Sequence, residues 1–556
     1  MLGKSGAGRG FRGRLLAASL IGVALIGAAC GGGDGGGSSD GNSTTDPGAI
    51  VEGGEMTYAL EAETSGGYCF PEAQLAASGM IVTRAIYDLL IVPADGEPGY
   101  APYLLESLDR NEDATVWTLK LRDGVKFHDG TDLDSTVLKN NIDSWLGRYP
   151  GRPSLFLSNV LQQVDTVEIL DDLTVQMTTK IPWVEFAPFL YGGSRLGIMA
   201  QAQLDDPENC DKNLIGTGPF MLEEWLVNDR LTATKNPNYW ATDSEGRQLP
   251  YLDQITFTPV PDNQTRVNGL LSGEYDVIMT SSAEAAEQLI AEGEAGSISL
   301  TQSMVNAEVG FLMFNEGRAP FNDEGARRAV ATAIDRELYN QVVNFGIPET
   351  ASGPFAPGAP GYVEDAGFPE YDLEEAKRLV ADYEQRTGAP LEFSYLHGND
   401  AGSIRAAQFI AEQLEQAGIN VNIQTREQAT LIAEALGTEW DLMAFRNFPG
   451  GAPDGNYPWW YSTSVVNFPK MDDPVIDQLM DQGRSELDRD KALDIYEEVN
   501  RELSAQVHYV WLDWTLWTIA TSPDASGVMG PTLPNGQQPS LGLSTGHATL
   551  GLHYTE

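Results

Sequence analysis

The stretch KNLIGTGPFMLEEWLVNDRLTATKNPNYWATDSEGRQLPYLDQITFTPVPDNQTRVNGLLSGEYD, residues 212–276, carries the clearest local structure signals in the chain. Glycines and a proline at 216–219 predict a tight turn. A short helix is expected at 266–271 and is stopped by Gly273. The predicted strands of this stretch lie at 220–225, 231–234, 255–258 and 275–278. This order of elements predicts a compact α/β unit.

The chain begins with the features of an exported protein. Four basic residues between positions 4 and 14 precede an uncharged, mostly apolar run at 15–29. That run is shorter than the ~20 residues that a membrane-spanning helix needs, but it suits a secretory signal. The small residues before Cys30 resemble a bacterial lipobox, although Gly27 stands where the usual motif has leucine. We therefore expect a signal peptide at 1–29 and a lipid on Cys30. A plain secretory signal is the alternative.

The amino-acid composition predicts a flexible tether that is followed by a strongly acidic globular region. Residues 31–45 read GGGDGGGSSDGNSTT, which cannot pack and would reach roughly 20 Å as a coil. The net charge is −46, so the surface repels nucleic acid phosphates. Such a charge favours either cationic ligands or simple solubility in a salty medium. No later stretch approaches the ~18 apolar residues of a membrane span.

Several motifs resemble one family of proteins. G-T-G-P-F, N-P-N-Y-W and L-L-S-G-E-Y-D lie within 212–276. L-R-D-G-V-K-F-H-D-G-T lies at 121–131, and A-R-R-A-V-A-T-A-I-D-R lies at 326–336. Together these motifs resemble the family 5 solute-binding proteins of ABC importers, the peptide/nickel class. The resemblance extends over roughly Gly53 to Gly551.

The resemblance implies an α/β, two-lobed periplasmic-binding-protein-like fold of type II, cluster C-like, with an extra domain inserted in the first lobe. It also implies that the two lobes close on a ligand. The expected division is a signal peptide at 1–29, a lipid-anchored linker at 30–50, a lobe 1 core at 51–95, 208–300 and 516–556, an extra domain at 96–207, and lobe 2 at 301–515.

The later half of the chain has a pattern typical of βαβ units. Predicted strands alternate there with amphipathic helices, in the order 391–397, 403–417, 420–425, 427–436 and 440–446. This alternation predicts a largely parallel sheet. Earlier in the chain, Asp123-Gly124 predicts a hairpin whose return strand begins at Val125. Thr131 or Asp132 is expected to cap the helix that follows.

The cysteines predict one disulfide bond. With Cys30 assigned to the lipid, Cys69 and Cys210 remain as an even pair in an oxidising compartment. We expect them to form a disulfide. Two buried free thiols are the alternative.

The sequence contains no recognisable catalytic motif. HExxH, GxSxG, Walker A and a GxGxxG after a strand are all missing from it. The five histidines are scattered without metal-ligand spacing, and His128, alone on its hairpin, is expected to be structural. We therefore predict binding without bond-making, and no metal or cofactor is implied. A secreted hydrolase is the alternative from another class.

The candidate ligand site lies where two strands of the later lobe end in polar, turn-rich loops. Ligands of open α/β sheets lie beyond the carboxyl ends of the strands, and aromatic side chains supply stacking walls. The candidate residues in these loops are His397, Asn399, Arg446, Asn447, Asp454, Trp459, Trp460 and Tyr461. Tyr68 and Phe70, in the loop after the first strand, are further wall candidates from the opposite lobe. Alternatively, the two tryptophans plug the space under the loop, and Arg446 forms a structural ion pair.

The resemblance also suggests a role for one acidic residue. In the peptide binders of this family, an aspartate in a loop close to D-Y-P-D-P holds the amino terminus of the ligand. The corresponding loop reads P-G-G-A-P-D-G-N-Y-P here, so only Asp454 matches. This departure leaves the peptide specificity open.

The predicted function is reversible capture of a ligand for import. An oligopeptide is the first expectation. An oligosaccharide is suggested by Trp459, Trp460 and Tyr461, and a nickel chelate by His397.

The expected partners are an ABC permease with its ATPase complex and the membrane, through the lipid anchor. The protein is expected to be a monomer with no nucleic acid partner. The expected location is extracytoplasmic, at the outer face of the cytoplasmic membrane, whether periplasmic or on the cell surface. A sensing role without transport would look the same in sequence.

Overall fold

The structure, a computed structural model, describes most of the chain after the leader. The described residues are 48–64, 66–73, 75–96, 98–154, 157–191, 195–305, 307–447, 452–540, 542–543 and 546–556. The predicted signal peptide, most of the predicted tether and Cys30 lie outside them. Within these ranges, no helix is long and apolar enough to cross a membrane.

The first part of the described chain forms eight strands and five helices. In chain order these are β1 (Ile50–Val51), β2 (Glu55–Leu60), α1 (Ala77–Ile86), β3 (Ile91–Pro93), β4 (Tyr100–Pro102), β5 (Leu105–Arg110), β6 (Val116–Leu121), α2 (Ser135–Trp145), α3 (Leu157–Val160), β7 (Val164–Asp171), β8 (Thr174–Thr179), α4 (Phe186–Phe189) and α5 (Gln201–Leu204).

The middle part contains the stretch that begins at Lys212. Its elements are β9 (Phe220–Leu226), β10 (Arg230–Lys235), β11 (Gln254–Pro259), α6 (Asn263–Ser272), β12 (Val277–Thr280), α7 (Ala283–Glu294) and β13 (Ser299–Ser303). The turn, strand and helix order predicted for this stretch is confirmed. Gly273 ends α6 in the left-handed conformation, with φ of 77°, which a residue with a side chain adopts at a cost.

The last part alternates strands and helices before it returns to the first sheet. Its elements are β14 (Val309–Phe314), α8 (Glu324–Ala333), α9 (Arg336–Val343), β15 (Glu349–Thr350), α10 (Leu373–Thr387), β16 (Glu392–Gly398), α11 (Ala401–Gln416), β17 (Asn420–Arg426), α12 (Gln428–Ala435), β18 (Leu442–Asn447), α13 (Tyr457–Trp460), α14 (Pro474–Ser485), α15 (Arg489–Ala505), β19 (Tyr509–Trp514), β20 (Trp517–Thr521), β21 (Ala525–Ser526) and β22 (His553–Thr555).

Two large sheets define two lobes. The first sheet has the order β13-β20-β12-β2-β11-β10-β9, and the second has the order β15-β19-β14-β18-β16-β17. We call residues 48–303 and 517–556 lobe 1, and residues 309–514 lobe 2. Strand β2 pairs in parallel with β11 and β12 at the centre of the first sheet. Apolar side chains of β2 at Met56 and Tyr58 enter the core of lobe 1.

Lobe 1 contains a second, smaller sheet with its own core, which we call the extra domain. Its four strands are antiparallel in the order β5-β6-β8-β7, and α2 packs against β7 and β8. The predicted return strand at Val125 is wrong, since only an isolated bridge joins Lys126 to Asp132. The predicted cap of α2 is also wrong: Asp134 caps it and accepts from two backbone amides at 2.9 Å.

The sheet of lobe 2 is mixed rather than largely parallel. Strand β16 is parallel to both β17 and β18. Strands β14 and β19 run antiparallel to their neighbours, because β14 arrives from lobe 1 and β19 leads back to it. The βαβ pattern of 391–446 therefore predicts only one half of this sheet.

Two neighbouring connections join the lobes. Strands β13 and β20 pair in lobe 1, and their continuations β14 and β19 pair in lobe 2. Between the sheets, the Thr515 amide donates to the Glu308 carbonyl at 2.8 Å, so the two connections run side by side. A paired two-stranded connection of this kind forms a hinge.

The predicted disulfide is confirmed. Cys69 and Cys210 are bonded, with 5.2 Å between their Cα atoms and a sequence separation of 141. In the chain-entropy model, a loop of this length stabilises the fold by at most about 5 kcal/mol. Both cysteines are buried in the core of lobe 1, so the bond closes the base of the extra domain onto that core.

Candidate ligand-binding cleft

Strands of both lobes end at one cleft beside the hinge. In lobe 1, β2 ends before Glu61 and β12 ends before Ser281. In lobe 2, β18 ends at Asn447 and contributes Arg446. Because ligands bind beyond the carboxyl ends of strands in α/β sheets, these residues mark the candidate site.

Arg446 reaches across the cleft. Its Nη1 donates to Ser281 Oγ at 2.9 Å, and its Nε lies 3.0 Å from Glu308 Oε2. The guanidinium also lies over the Trp517 ring, 5.4 Å from the ring centre. Ser281 in turn donates its amide to Glu61 at 2.6 Å. The side chain of Arg446 remains 39% exposed, so it is accessible from the cleft.

The cleft carries charges of both signs. Burial alone would lower the pKa of Arg446, but its pKa is raised overall because carboxylates surround it. These carboxylates belong to Glu308, Glu61, Asp513 and Asp400. Burial raises the pKa of Asp513 to about 6, although a hydrogen bond from Asn344 and the charge of Arg446 oppose this rise. The site therefore suits a ligand with both a positive and a negative group.

An apolar pocket lies on the other face of the lobe 2 sheet. Residues alternate along a strand, so Phe445 and Asn447 face this pocket while Arg446 faces the charged side. The pocket is lined by Val309, Phe311, Met313, Pro354, Phe445, Asn447, Asn456, Trp459, Trp460, Phe468, Pro469, Tyr509 and Trp511. Its free volume is about 20 Å³, room for roughly one water. A ligand group enters only if these side chains move.

Of the three consecutive aromatic candidates at 459–461, two line this pocket. Trp459 is half-buried and meets the edge of Phe468, with 5.3 Å between ring centres. Trp460 is buried against Phe355. Tyr461 points elsewhere: it stacks on Tyr457 and donates its hydroxyl to an aspartate of α14.

Asp454 occupies a different place from the one expected from sequence. Its carboxylate is fully buried and accepts from Arg484 Nε at 2.8 and 3.0 Å. It also accepts from the Tyr496 hydroxyl at 3.1 Å and from Trp183 Nε1 at 2.6 Å. Donors from the protein thus occupy both oxygens, and none is left for the amino terminus of a peptide.

Tyr68 and Phe70 belong to the core of lobe 1 rather than to the wall of the cleft. Tyr68 is buried against Trp225, and Phe70 is buried against Tyr87. Cys69, which lies between these two residues, and its disulfide partner Cys210 belong to the same core.

The two remaining candidates lie at the end of β16. His397 is buried, and its Nε2 is 3.3 Å from Thr425 Oγ1. Burial lowers the pKa of His397, so its ring is neutral at pH 7. Asn399 is exposed in the turn before α11. Among the described residues, no three side chains come together in a way that could hold a metal ion.

A family comparison identifies this architecture. The family model described as "Bacterial extracellular solute-binding proteins, family 5 Middle" matches residues 99–468, more than half of the chain. The chain belongs to this family.

Relatives of this solute-binding protein include receptors for different small ligands. The nickel-binding periplasmic protein of Escherichia coli is 24% identical over 81% of this chain and 87% of its own length. The glutathione-binding protein GsiB of Pectobacterium atrosepticum is 26% identical over 77% of this chain and 84% of its own length. Together these comparisons show a substrate-binding receptor of an importer.

Solved structures share the two-lobed fold. The periplasmic binding protein DppA from Helicobacter pylori, in complex with the peptide STSA, matches with a TM-score of 0.78. It is 20% identical, and the match covers 91% of this chain and 99% of that chain. AgaA from A. tumefaciens R10, in complex with agropinic acid, matches with a TM-score of 0.77 at 25% identity over 90% of this chain and 99% of that one.

Sequence analysis missed several residues of the solute-binding cleft. Glu61 follows β2 and Ser281 follows β12, so the strand-end argument used for lobe 2 would have found them once these strands were located. Glu308 lies in the hinge and Asp513 lies beside it near the end of β19, where no local pattern marks a site. Trp183 and Arg484, which lie outside the cleft, come together only through the tertiary fold.

Proposed function

We propose that this receptor captures short peptides between its two lobes and delivers them to an ABC permease driven by an ATPase. Ligand contacts with both lobes would stabilise the closed arrangement. We further propose that the protein works outside the cytoplasmic membrane, held there by a lipid on Cys30.

The observation that carries the peptide proposal is the arrangement around the end of β18. Arg446 and several carboxylates lie on one side of this strand end, and an aromatic pocket lies on the other. A peptide carries a carboxylate for Arg446, an amino group for the carboxylates and an apolar side chain for the pocket. Asn447, the last residue of β18 and part of the pocket lining, offers an amide for the peptide backbone.

Asp454 is not available to the amino terminus of a peptide, because donors from the protein occupy both of its oxygens. Under this proposal, the amino group pairs instead with a carboxylate near Arg446. Asp513 is suited to this role because it is held by a single side-chain hydrogen bond, from Asn344 at 3.1 Å.

Native mass spectrometry of the soluble domain that starts after Cys30 tests the proposal. The domain would be purified from a peptide-rich medium without denaturation, and the bound molecules would be released and sequenced. Masses built from amino-acid residues are expected. Bound masses that differ by whole hexose units would contradict the peptide proposal and indicate oligosaccharide uptake. A stoichiometric nickel complex would contradict it and indicate nickel import.

A further inference from the structure

Trp183 of the extra domain lies at a contact between the lobes that is separate from the cleft. Its backbone amide donates to the Ala114 carbonyl at 2.9 Å, which fixes the segment that carries it. The indole is fully buried and packs on Phe186 and Phe189. The ring is therefore rigidly placed by lobe 1.

The partner of Trp183 is a buried ion pair of lobe 2. The indole N–H donates to Asp454 Oδ2 at 2.6 Å, and Asp454 pairs with Arg484 at 2.8 Å. The side chains of this pair are 0% and 1% exposed. Because buried carboxylates need every available donor, the N–H from the other lobe stabilises the charge of Asp454.

The same tryptophan also covers Arg484. The guanidinium lies between the Tyr457 ring at 3.8 Å and the Trp183 ring at 4.9 Å. Among the described residues, its Nη1 and Nη2 have no hydrogen-bond partner although both are buried, so the aromatic faces compensate part of its charge. If the lobes separated, this ion pair would lose one N–H donor and one aromatic face together.

We infer that Trp183 is a positioning residue for ligand capture: with Asp454 and Arg484 it forms a clasp that exists only in the closed arrangement and prolongs ligand residence. The inference rests on the proposed closure of the lobes around the ligand. Because the clasp contacts differ between the open and closed states, they shift that equilibrium towards closure. They are absent from the open receptor, so they slow ligand release more than they speed ligand entry.

Trp183→Phe tests the clasp, because phenylalanine keeps an aromatic ring and removes the N–H. Trp240→Phe is the matched control: Trp240 Nε1 donates to the buried Asp88 at 3.0 Å, entirely within lobe 1. Both variants should lose some stability in thermal unfolding, but only the first should change the closure equilibrium.

Single-molecule energy transfer measures closure in the full soluble domain. Dyes would be placed at Glu112→Cys in the extra domain and Glu412→Cys in lobe 2, both exposed positions. The probe is an equimolar mixture of synthetic Ala-X-Ala tripeptides. We expect Trp183→Phe to lower the ratio of closed to open molecules by about tenfold and to speed peptide release by a similar factor. Trp240→Phe should leave both unchanged.

The outcomes separate this inference from the peptide proposal. An unchanged closed-to-open ratio in Trp183→Phe, with and without peptide, overturns the clasp. A wild-type domain that never closes under either condition also overturns it, since the contact would then not be populated. A domain that closes but does not respond to the tripeptides contradicts the peptide proposal alone, and the clasp is then judged from the ratio without peptide.

Discussion

The lobes of this receptor meet in two contrasting ways. Beside the hinge, Arg446 bridges to Ser281 in a polar region where the arginine is 39% exposed. At the extra domain, Trp183 bridges to the Asp454–Arg484 pair, where the side chains of the ion pair are almost fully buried. Both contacts use an arginine and a carboxylate. They differ in their access to water.

This difference separates two tasks. An exposed arginine exchanges its partners at low cost, because water replaces each contact that is lost, so it is free to bind a ligand. A buried pair has no such replacement, and losing one partner leaves an uncompensated charge. We therefore assign recognition to the contact beside the hinge and closure to the contact at the extra domain.

The largest effect is expected at the buried contact. Asp454→Ala should lower the free energy of unfolding by about 3–5 kcal/mol, because the Arg484 charge then has no partner. Urea unfolding measures this loss. The double variant Asp454→Ala with Arg484→Met removes both charges and should recover most of the stability. A loss below ~1 kcal/mol in the single variant would instead favour the ligand-binding role that sequence suggested for Asp454.

The contrast between the two contacts also explains what the sequence could predict. Gly273, the strands after Lys212 and the cysteine pair leave local or compositional signals, and the structure confirms all three. The cap of α2 was misplaced because Thr131, Asp132 and Asp134 are all good acceptors within four residues. Patterns of this kind locate an element but do not fix its ends.

Long-range partners were beyond the reach of sequence patterns. Asp454 was singled out as the residue that holds the amino terminus of a peptide, but its carboxylate accepts from Trp183, which is 271 residues away in sequence. Likewise, Tyr68 and Phe70 are aromatic residues in a loop, and such residues occur in the walls of ligand sites as well as in cores. Only their packing against Trp225 and Tyr87 shows that these two belong to the core. Arg446 lies near the end of β18, where the strand-end argument puts it, and its role in ligand binding stays a prediction.

The second prediction concerns pH at the contact beside the hinge. The pKa of Asp513 is about 6 in the folded protein against the usual 3.8, so the folded state binds a proton more tightly than the unfolded chain. Stability from this group is therefore complete below about pH 4 and is lost as the pH rises through 6. Between pH 4 and 7, this group should lower the free energy of unfolding by at most about 3 kcal/mol. Asp513→Asn should remove that pH dependence, and urea unfolding at several pH values measures it.

Asp88 provides the matched control for this pH effect. It is also buried, and its pKa is also raised to about 6 by burial, but it lies within lobe 1 beside Trp240 and Tyr239. Asp88→Asn should flatten the pH dependence of stability in the same way without altering the pH dependence of peptide affinity. If both variants change the pH dependence of peptide affinity equally, Asp513 does not contact the ligand.

The third prediction tests recognition. Arg446→Met should weaken peptide binding by about 10- to 100-fold, since a charged hydrogen bond to the ligand is lost. Its stability should change by less than about 1 kcal/mol, because the side chain is partly exposed. Calorimetric titration with the peptides identified by mass spectrometry measures the affinity. Arg378→Met, at a surface ion-pair site of α10, should bind normally. Equal affinities for the two variants would remove Arg446 from the site.

The smallest effect is expected at a third bridge between the lobes. Arg405 of α11 pairs with Glu284 of α7 at 3.1 Å, with side chains 38% and 59% exposed. This bridge joins the same two lobes as the clasp, but water and salt screen it. Arg405→Gln should change the closed-to-open ratio by less than about threefold, and the change should vanish at high salt. A shift as large as that of Trp183→Phe would show that a contact between the lobes matters by its position alone. Burial would then not be what distinguishes a clasp from a surface pair.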